Sequence, residues 1–487
     1  MFAFSRLACT VSRALYPSAV TRAVPRGRIA TASVSQQRQS STAEEGLTDT
    51  RTLAQELRER GLWNQCTATE EALDLHLKDK KRTVYCGFDP TADSLHVGNL
   101  LMIITLLHFS RAGHKTIAIV GGATGSVGDP SGRTTERDPL AKSKSQVNLA
   151  GIEQDLKRVF ANAKAAYAEG TASFGLAVVD NAEWYADMTP VTFLTEVGRH
   201  LRLNHMLARE SVKSRLNSAE GISFAEFAYQ ALQAYDFLHL NTHSDCTIQL
   251  GGSDQWGNIT AGCELIRRTA SGKPSQSFGL TIPLLTTAAG VKFGKSMGNA
   301  VWLNSAKTNP YELYQFFINT TDDDVEKLLR SLTFTPLDEI SQIMVAHQNA
   351  PELRTAQKAL AKSVTQLVHG EEATLQAIAT TDSFFAQGKD AKPTSSRDIL
   401  ERYSGAPSVS IPITDLTSMS VIDLALKAGA VKSKGAARRL ITAKGLYLNN
   451  ETITDPNQKL TEGDAIDDSV TLLRTGKKSY AVVEWER

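Results

Sequence analysis

Residues 82–99 read RTVYCGFDPTADSLHVGN, and this stretch decides the fold. It begins as a short apolar run, turns between Gly87 and Pro90, and continues into a segment of helical character. Two further apolar runs, which begin near His114 and Thr247, each end in a glycine-rich loop. Strands that alternate with helices predict a parallel sheet, Rossmann-like in type, with ligand loops at the carboxyl ends of its strands.

Downstream of this predicted sheet the sequence pattern changes twice. From Tyr311 to about Ala386 it is periodic in the manner of helices, without strand patterns. Gly405, Pro407 and Pro412 then mark a linker around one short helix. The predicted organisation is α/β, with these segments: a presequence at 1–43, a Rossmann-like catalytic domain at 46–300, an α-helical domain at 301–386, the linker at 387–417 and an α+β domain at 418–487.

The size and composition indicate a globular chain of about three domains, since the length is 487 residues. Hydrophobic residues make up 41% and charged residues 22%, and no apolar run approaches the roughly 20 residues of a membrane span. We therefore expect a soluble protein without a membrane partner. The five cysteines are scattered and predict free thiols in a reducing compartment.

The first 43 residues contain no acidic residue but six arginines, namely Arg6, Arg13, Arg22, Arg26, Arg28 and Arg38. This composition is typical of a mitochondrial transit peptide, which places the mature protein in the mitochondrial matrix; a disordered basic tail is the alternative. Without these arginines, 47 Lys and Arg face 52 Asp and Glu, a formal net charge of −5. Any RNA contact must therefore come from local basic patches.

The residues around His96 carry a specific resemblance. A lone HxGN is more often a glycine kink with a capping histidine, but the string YCGFDPTADSLHVGN from Tyr85 to Asn99 resembles the HIGH signature of class I aminoacyl-tRNA synthetases. The resemblance is to the tyrosyl branch, in its fungal mitochondrial form, in which Asn99 replaces the last histidine. A histidine in the first helical turn, two residues before Gly98, lets ATP phosphates approach the positive end of the helix dipole.

A polar helix face provides the second match to this family. Tyr229, Gln233 and Asp236 in AYQALQAYD are spaced four and three apart, which places them on one side of a helix. Alone, such residues are most often a solvated surface. The resemblance implies that Tyr229 and Gln233 bind the ammonium group of tyrosine, while Tyr85 and Asp236 bind its hydroxyl group.

Two glycine-rich loops follow the other predicted strands, VGGATGSVGDPSG at 120–132 and QLGGSDQWGN at 249–258. Glycines after a strand permit close approach of a phosphate or a ribose, although both loops are also compatible with simple turns. The resemblance implies that Asp129 receives the ammonium group of the amino acid. It adds Gln249 and Gln255 to the tyrosine site, and it assigns these residues to ATP: Asp89, His96, Gly98, Gly252, Asp254 and Lys295.

The string KFGKS, from Lys292 to Ser296, resembles the KMSKS loop of the same family, with Phe-Gly in place of Met-Ser. Two lysines on a glycine-softened loop can close over a triphosphate and neutralise the leaving diphosphate. A KxxKS string alone is common on protein surfaces. Here it lies about 200 residues after His96, and the two motifs occur in the same order as in the family. The resemblance implies catalytic roles for His96, Lys292 and Lys295, with ATP as a substrate that Mg²⁺ accompanies, no tightly bound cofactor and no protein metal site.

The C-terminal segment SVIDLALKAGAVKSKGAARRLITAKGLYLNN resembles an S4-type RNA-binding module. Its expected RNA-binding residues are Lys432, Lys434, Arg438, Arg439 and Lys444, although a solvated charged helix is the alternative. The implied activity is ligation of L-tyrosine to tRNA(Tyr), by a homodimer, and no editing domain is required. Two alternatives stay open: a tryptophanyl-type synthetase, which Tyr85 and Asp236 argue against, and a splicing cofactor that binds group I intron RNA.

Overall fold

The computed structural model describes residues 51–132, 135, 142–168, 174–270, 276–288, 290, 293, 295–296, 299–386, 395–403, 406–476 and 479–486. The predicted presequence at 1–43 lies outside these residues, and so does Lys292.

A six-stranded sheet forms the first half of the molecule. Its strands are β1 Gln65–Cys66, β2 Thr83–Phe88, β3 Lys115–Val120, β4 Ala177–Asp180, β5 Cys246–Gly252 and β6 Phe278–Ile282. Their spatial order is β1-β6-β5-β2-β3-β4, and every neighbouring pair is parallel except the edge pair β1–β6. The predicted Rossmann-like parallel sheet is thus confirmed. Burial of β2, β3 and β5 explains why their sequences are nearly continuous apolar runs.

Helices accompany this sheet, most of them as crossovers between parallel strands. They are α1 Leu53–Glu59, α2 Glu70–Asp79, α3 Val97–Arg111, α4 Thr124–Val127, α5 Lys142–Tyr167, α6 Ala182–Tyr185, α7 Pro190–Glu196, α8 Leu203–Leu207, α9 Glu210–Leu216, α10 Phe224–Ser244 and α11 Trp256–Thr269. Helix α10 begins where the Ser223 side chain accepts from the Glu226 backbone N–H, and it ends at Asp245 in the left-handed conformation. Within the described ranges, no helix has both the length and the apolar character needed to cross a bilayer.

The middle of the chain is helical, as the periodic pattern predicted. A short hairpin, β7 Lys295–Ser296 and β8 Asn299–Ala300, precedes α12 Pro310–Ile318, α13 Asp322–Leu332, α14 Leu337–Asn349, α15 Thr355–His369 and α16 Glu371–Ala386. Helix α12 starts with a capping box between Asn309 and Glu312. Its buried residues Leu313 and Phe317 belong to the same hydrophobic core as Leu106 of α3, so these helices and the large sheet share one core.

The C-terminal part is a separate α+β layer. A five-stranded sheet has the order β11-β10-β12-β13-β9, and its elements are α17 Ser396–Arg402, β9 Ser408–Pro412, α18 Val421–Lys427, α19 Lys434–Thr442, β10 Leu446–Leu448, β11 Glu451–Thr452, β12 Val470–Thr475 and β13 Ser479–Glu486. Strand β9 lies inside the predicted linker, yet it pairs in parallel with β13. The side chain of Ile399 in α17 is also fully buried. The C-terminal fold therefore draws on residues before 418, which corrects the predicted boundary.

Candidate active site

The candidate site lies at the carboxyl ends of β2, β3 and β5. Strand β2 sits between the other two, with Tyr85 opposite Gln249 of β5 and Phe88 opposite Val120 of β3. The loops that follow these three strands therefore meet at one edge of the sheet. These loops carry five of the residues that the sequence patterns singled out, namely Asp89, His96, Asp129, Asp254 and Gln255.

One end of the site is a buried phenol beside a buried carboxylate. Tyr85 on β2 is 2% exposed and Asp236 on α10 is 3% exposed. Burial, and secondly the charge of Asp236, raise the pKa of Tyr85 well above its usual value. Among the described residues, neither the Tyr85 hydroxyl nor the amide oxygen of the neighbouring Gln249 has a hydrogen-bond partner. Buried polar atoms of this kind are costly unless a ligand satisfies them.

Three donors that the sequence patterns did not indicate hold the Asp236 carboxylate. Trp184 Nε1 donates at 2.9 Å, the Tyr185 hydroxyl at 3.0 Å and Asn181 Nδ2 at 3.1 Å. All three follow strand β4 in the sequence. They lie about 50 residues from Asp236 in the sequence, so no local pattern identifies them. The sequence supports only the general expectation that a buried carboxylate has hydrogen-bond donors.

The Asp236 carboxylate makes stability depend on pH. Burial raises its pKa to about 7, whereas an unfolded Asp titrates near about 4. Between these values the folded protein holds a proton that the unfolded chain releases, so the free energy of unfolding falls as pH rises. We expect wild type to lose stability relative to Asp236→Asn on going from about pH 5 to about pH 8, as measured by urea unfolding. Parallel pH profiles of the two proteins would contradict this expectation.

A second anionic group lies where β2 and β3 end. Asp89 accepts from the Tyr229 hydroxyl at 2.8 Å and from the Thr124 hydroxyl at 2.9 Å. A Cβ on Gly121 would lie 2.3 Å from the Asp89 carboxylate, so this position has no room for a side chain. Burial raises the pKa of Tyr229, and the charges of Asp89 and Asp129 add to this effect. The resemblance assigned Asp89 to ATP and Tyr229 to the tyrosine ammonium group. In the structure these two residues are in direct contact.

The loop after β3 is tied to helix α11 through a set of amides. Gln255 Nε2 donates to Asp129 at 2.6 Å, and Asn258 Nδ2 lies 3.0 Å from the Gln233 amide oxygen and 3.1 Å from that of Gln255. Asn258 lies three residues after Gln255, on the first turn of α11. This helical spacing could have predicted that Asn258 joins Gln255 in the site, but the sequence analysis did not assign it a role. The arrangement places Asp129, Gln233 and Gln255 together.

His96 lies at the start of α3, at the end of the loop that follows β2. Its backbone N–H donates to Asn99 Oδ1 at 3.1 Å. A Cβ on Gly98 would lie 2.8 Å from the His96 ring and 4.0 Å from the carbonyl oxygen of Phe293. His96 also forms an antiparallel bridge with Trp302, and their rings lie 6.2 Å apart. The string KFGKS at 292–296 is called the lysine loop below, and the segment that follows it runs alongside His96.

The backbone of Lys295 belongs to the hairpin that leads into this segment, where it pairs with Ala300. On the β5 side, a Cβ on Gly252 would lie 2.5 Å from the Asp254 carboxylate. The same carboxylate lies 3.4 Å from where a Cβ on Gly132 would be. Asp254 thus reaches from the loop after β5 to the loop after β3.

The basic residues expected to contact RNA all lie on the C-terminal domain, around α19. Each of the five is exposed, namely Lys432, Lys434, Arg438, Arg439 and Lys444. Lys434 also pairs with Asp423 of α18 at 2.8 Å. No cluster of three or more His, Cys, Asp or Glu side chains fit for a metal ion occurs in the part of the chain that the structure describes.

Comparison with known families matches two parts of the chain. The family described as tRNA synthetases class I (W and Y) matches residues 77–386, and the Tyrosine--tRNA ligase SYY-like C-terminal domain matches residues 398–483. A mitochondrial tyrosine--tRNA ligase of Drosophila melanogaster is 45% identical over 412 residues, which are 83% of this chain and 88% of the relative. A tyrosine--tRNA ligase of Geobacillus kaustophilus is 44% identical, over 89% of this chain and 99% of the relative.

Solved structures of two mitochondrial tyrosyl-tRNA synthetases match about two thirds of the chain. A C-terminally truncated mitochondrial tyrosyl-tRNA synthetase of Aspergillus nidulans has a TM-score of 0.63 and 33% identity, and it covers 69% of this chain and 94% of its own length. The corresponding structure from Coccidioides posadasii has a TM-score of 0.60 and 35% identity, over 67% of this chain and 91% of that structure.

Proposed function

The chain belongs to the tyrosine–tRNA ligases of class I, and we propose that it activates L-tyrosine with ATP and transfers it to the 3′ end of tRNA(Tyr) in the mitochondrial matrix. The observation that carries the choice of amino acid is the buried pair of Tyr85 and Asp236. A hydroxyl donor and a carboxylate acceptor in a water-excluded site match the phenol of tyrosine and leave polar atoms unpaired against phenylalanine.

Both steps proceed by displacement, without a covalent enzyme intermediate. The tyrosine carboxylate attacks the α-phosphorus of ATP, the bond to the β-phosphate oxygen breaks, and diphosphate leaves. A ribose hydroxyl of tRNA then attacks the tyrosyl carbonyl, and AMP leaves. Catalysis rests on positioning and on charge stabilisation by His96, Lys292 and Lys295, while Mg²⁺ arrives with ATP as part of the substrate.

The amino-acid site proposed here combines two groups of contacts. Its members are Tyr85, Asp129, Tyr229, Gln233, Asp236, Gln249 and Gln255. The cluster of Asp89, Asp129 and Tyr229 supports binding of an ammonium group, because the anionic partners of a buried cation must lie close to it. The nucleotide side comprises Asp89, His96, Gly98, Gly252, Asp254 and Lys295, and the close approach of His96 to the segment after the lysine loop supports this assignment.

Amino-acid-dependent exchange between ATP and labelled diphosphate tests the activity directly. We expect exchange with L-tyrosine and none above background with L-phenylalanine or L-tryptophan at equal concentration. Exchange that tryptophan supports better than tyrosine would favour the tryptophanyl alternative and refute this proposal.

The exposed basic face around α19 supports an RNA partner, and we propose that this partner is tRNA(Tyr). Binding of group I intron RNA, a second role in splicing, is a further proposal that rests on the same face alone. Gel retardation with each RNA separates the two, because variants with Arg438→Gln and Arg439→Gln would weaken only the RNA that uses this face. Intron binding no tighter than that of an unrelated RNA would remove the splicing role.

A homodimer is supported by exposed apolar side chains in the segment from α7 to the first residue of α10, here called the apolar patch. Of the fourteen large apolar side chains that are exposed among the described residues, six lie between Val191 and Phe224. They are Val191, Leu194, Leu203, Leu207, Leu216 and Phe224. So many exposed apolar side chains within one segment are typical of a protein–protein contact. A second copy of the same chain is the occupant we propose, because it would cover two identical patches at once.

A single charge in this patch should separate the subunits. Leu194 on α7 is 60% exposed, so Leu194→Asp is expected to leave the fold intact while it raises the dimer dissociation constant at least about tenfold. Sedimentation velocity measures the change. Leu75→Asp is the matched control, since Leu75 is 70% exposed on α2, outside the patch. Equal sedimentation of both variants and wild type would contradict the assignment.

A further inference from the structure

Helix α5 carries a stripe of residues that the site described above does not include. The stripe consists of Asn148, Gly151, Asp155, Arg158 and Asn162. Their spacing of three, four, three and four places them on one side of the helix. A row of polar residues on a helix would ordinarily be solvated, but this row faces protein along its whole length.

The first half of the stripe lies against the loop that leads from β2 to His96. The buried Asn148 Nδ2 donates to the carbonyl oxygen of Pro90 at 2.8 Å. One turn further, a Cβ on Gly151 would lie 2.1 Å from the carbonyl oxygen of Asp93. Because that oxygen is backbone, only glycine allows the helix to approach the loop this closely.

Asp155 is the centre of the stripe and is 1% exposed. One carboxylate oxygen accepts from the Ser94 hydroxyl at 2.7 Å and from the Leu95 backbone N–H at 2.9 Å. The other oxygen accepts from Arg158 Nη2 at 2.6 Å. A buried carboxylate is thus satisfied by the two residues that immediately precede His96, together with one cation.

Arg158 and Asn162 continue the stripe to two other parts of the molecule. Arg158 Nη2 donates to the carbonyl oxygen of Leu303 at 2.8 Å, and Leu303 lies in the segment that follows the lysine loop. Its Nε donates to the carbonyl oxygen of Val368 at 3.2 Å, near the end of α15. Asn162 Nδ2 donates to the neighbouring carbonyl of Leu367 at 3.2 Å. The ion pair of Asp155 and Arg158 therefore joins three parts of the molecule: the His96 loop, the segment after the lysine loop and the helical domain.

We propose that Asp155 and Arg158 are positioning residues for adenylate formation, which set the His96 loop and the segment after the lysine loop in register with the helical domain. The inference rests on the proposed function. It assigns to these two residues an effect on the rate of the chemical step, separate from tyrosine binding, because their contacts end at the nucleotide side of the site. The tyrosine side, with Tyr85 and Asp236, has no direct contact with them among the hydrogen bonds of the described residues.

The test compares single-turnover formation of tyrosyl-adenylate with the dissociation constant of L-tyrosine in Arg158→Met, Asp155→Asn and wild type. We expect the rate to fall about 10- to 100-fold in both variants, since a misplacement of about 1 Å can cost 100-fold. The tyrosine dissociation constant should change less than about twofold. Lys157→Met is the matched control, because Lys157 is the neighbouring residue, is exposed and pairs only with Glu153 on the same helix among the described residues.

Arg158→Lys should restore part of the rate, because a lysine can still pair with Asp155 and donate to one of the two carbonyls. Wild-type rates in Arg158→Met would overturn the inference, and so would a parallel loss of rate, tyrosine affinity and melting temperature. If Asp155→Asn fails to fold, Arg158→Met decides alone, since its side chain is 27% exposed. A wild-type protein without tyrosine-dependent adenylate formation would refute the proposed function instead.

Discussion

The variant Asp236→Ala is expected to bind L-tyrosine about 100-fold more weakly than wild type, a loss of about 3 kcal/mol. The change removes the acceptor for the substrate hydroxyl and leaves three donors, Asn181, Trp184 and Tyr185, without their shared carboxylate. Both effects lie among buried residues, where an unpaired polar group costs more than at the surface. Equilibrium dialysis with labelled tyrosine measures the affinity.

Discrimination against phenylalanine is the more specific measure of the same change. The ratio of exchange rates with tyrosine and phenylalanine should fall in Asp236→Ala, because phenylalanine loses no hydrogen bond there. Asp338→Ala provides the control, since Asp338 is an exposed residue in the first turn of α14. A variant that still rejects phenylalanine as wild type does would show that another group binds the hydroxyl.

The strands and their ligand loops were predictable because each depends on a short continuous pattern. The run before Gly87 is buried on both faces, and glycine-rich loops follow the two buried strands β3 and β5. The spacing of Tyr229, Gln233 and Asp236 likewise follows from helix geometry alone. These features need no knowledge of distant residues, which is why sequence reasoning found them.

Partners separated by long stretches of chain were not predictable in the same way. Asn181, Trp184 and Tyr185 approach Asp236 only because β4 and α10 are brought together by the sheet. Strand β9 was assigned to a linker because Pro407 precedes it and Pro412 is its last residue, and its partner β13 lies about 70 residues later. An edge strand tolerates proline at its ends, so these two prolines are compatible with an edge strand as well as with a linker.

The α5 stripe is an intermediate case. Its three-four spacing is visible in the sequence, yet polar residues at helical spacing usually indicate a solvated face. The distinguishing residue is Gly151, which is unfavourable within a helix unless backbone must pass close by. A glycine on the same face as Asn148 and Asp155 was therefore the available signal for burial of that face.

The second large effect is expected for Lys295→Ala, which should slow tyrosyl-adenylate formation by two or more orders of magnitude, about 3 kcal/mol. The backbone of Lys295 lies in the β7–β8 hairpin that leads to the segment paired with His96. The proposed mechanism assigns the Lys295 charge to the ATP phosphates. A cation there stabilises negative charge that grows as diphosphate departs, and this charge is smaller in bound ATP than in the transition state. The tyrosine dissociation constant should therefore stay nearly unchanged.

Rapid-quench measurement of the first turnover, with tyrosine and ATP saturating, separates this effect from binding and from product release. Lys358→Ala is the matched control, because Lys358 is an exposed lysine on α15. A first-turnover rate equal to that of Lys358→Ala would exclude a role for Lys295 in charge stabilisation. A loss of ATP affinity at constant rate would instead mean that the lysine contributes equally to the ground state and the transition state. Only a reduced rate at saturating ATP is compatible with preferential binding of the departing diphosphate.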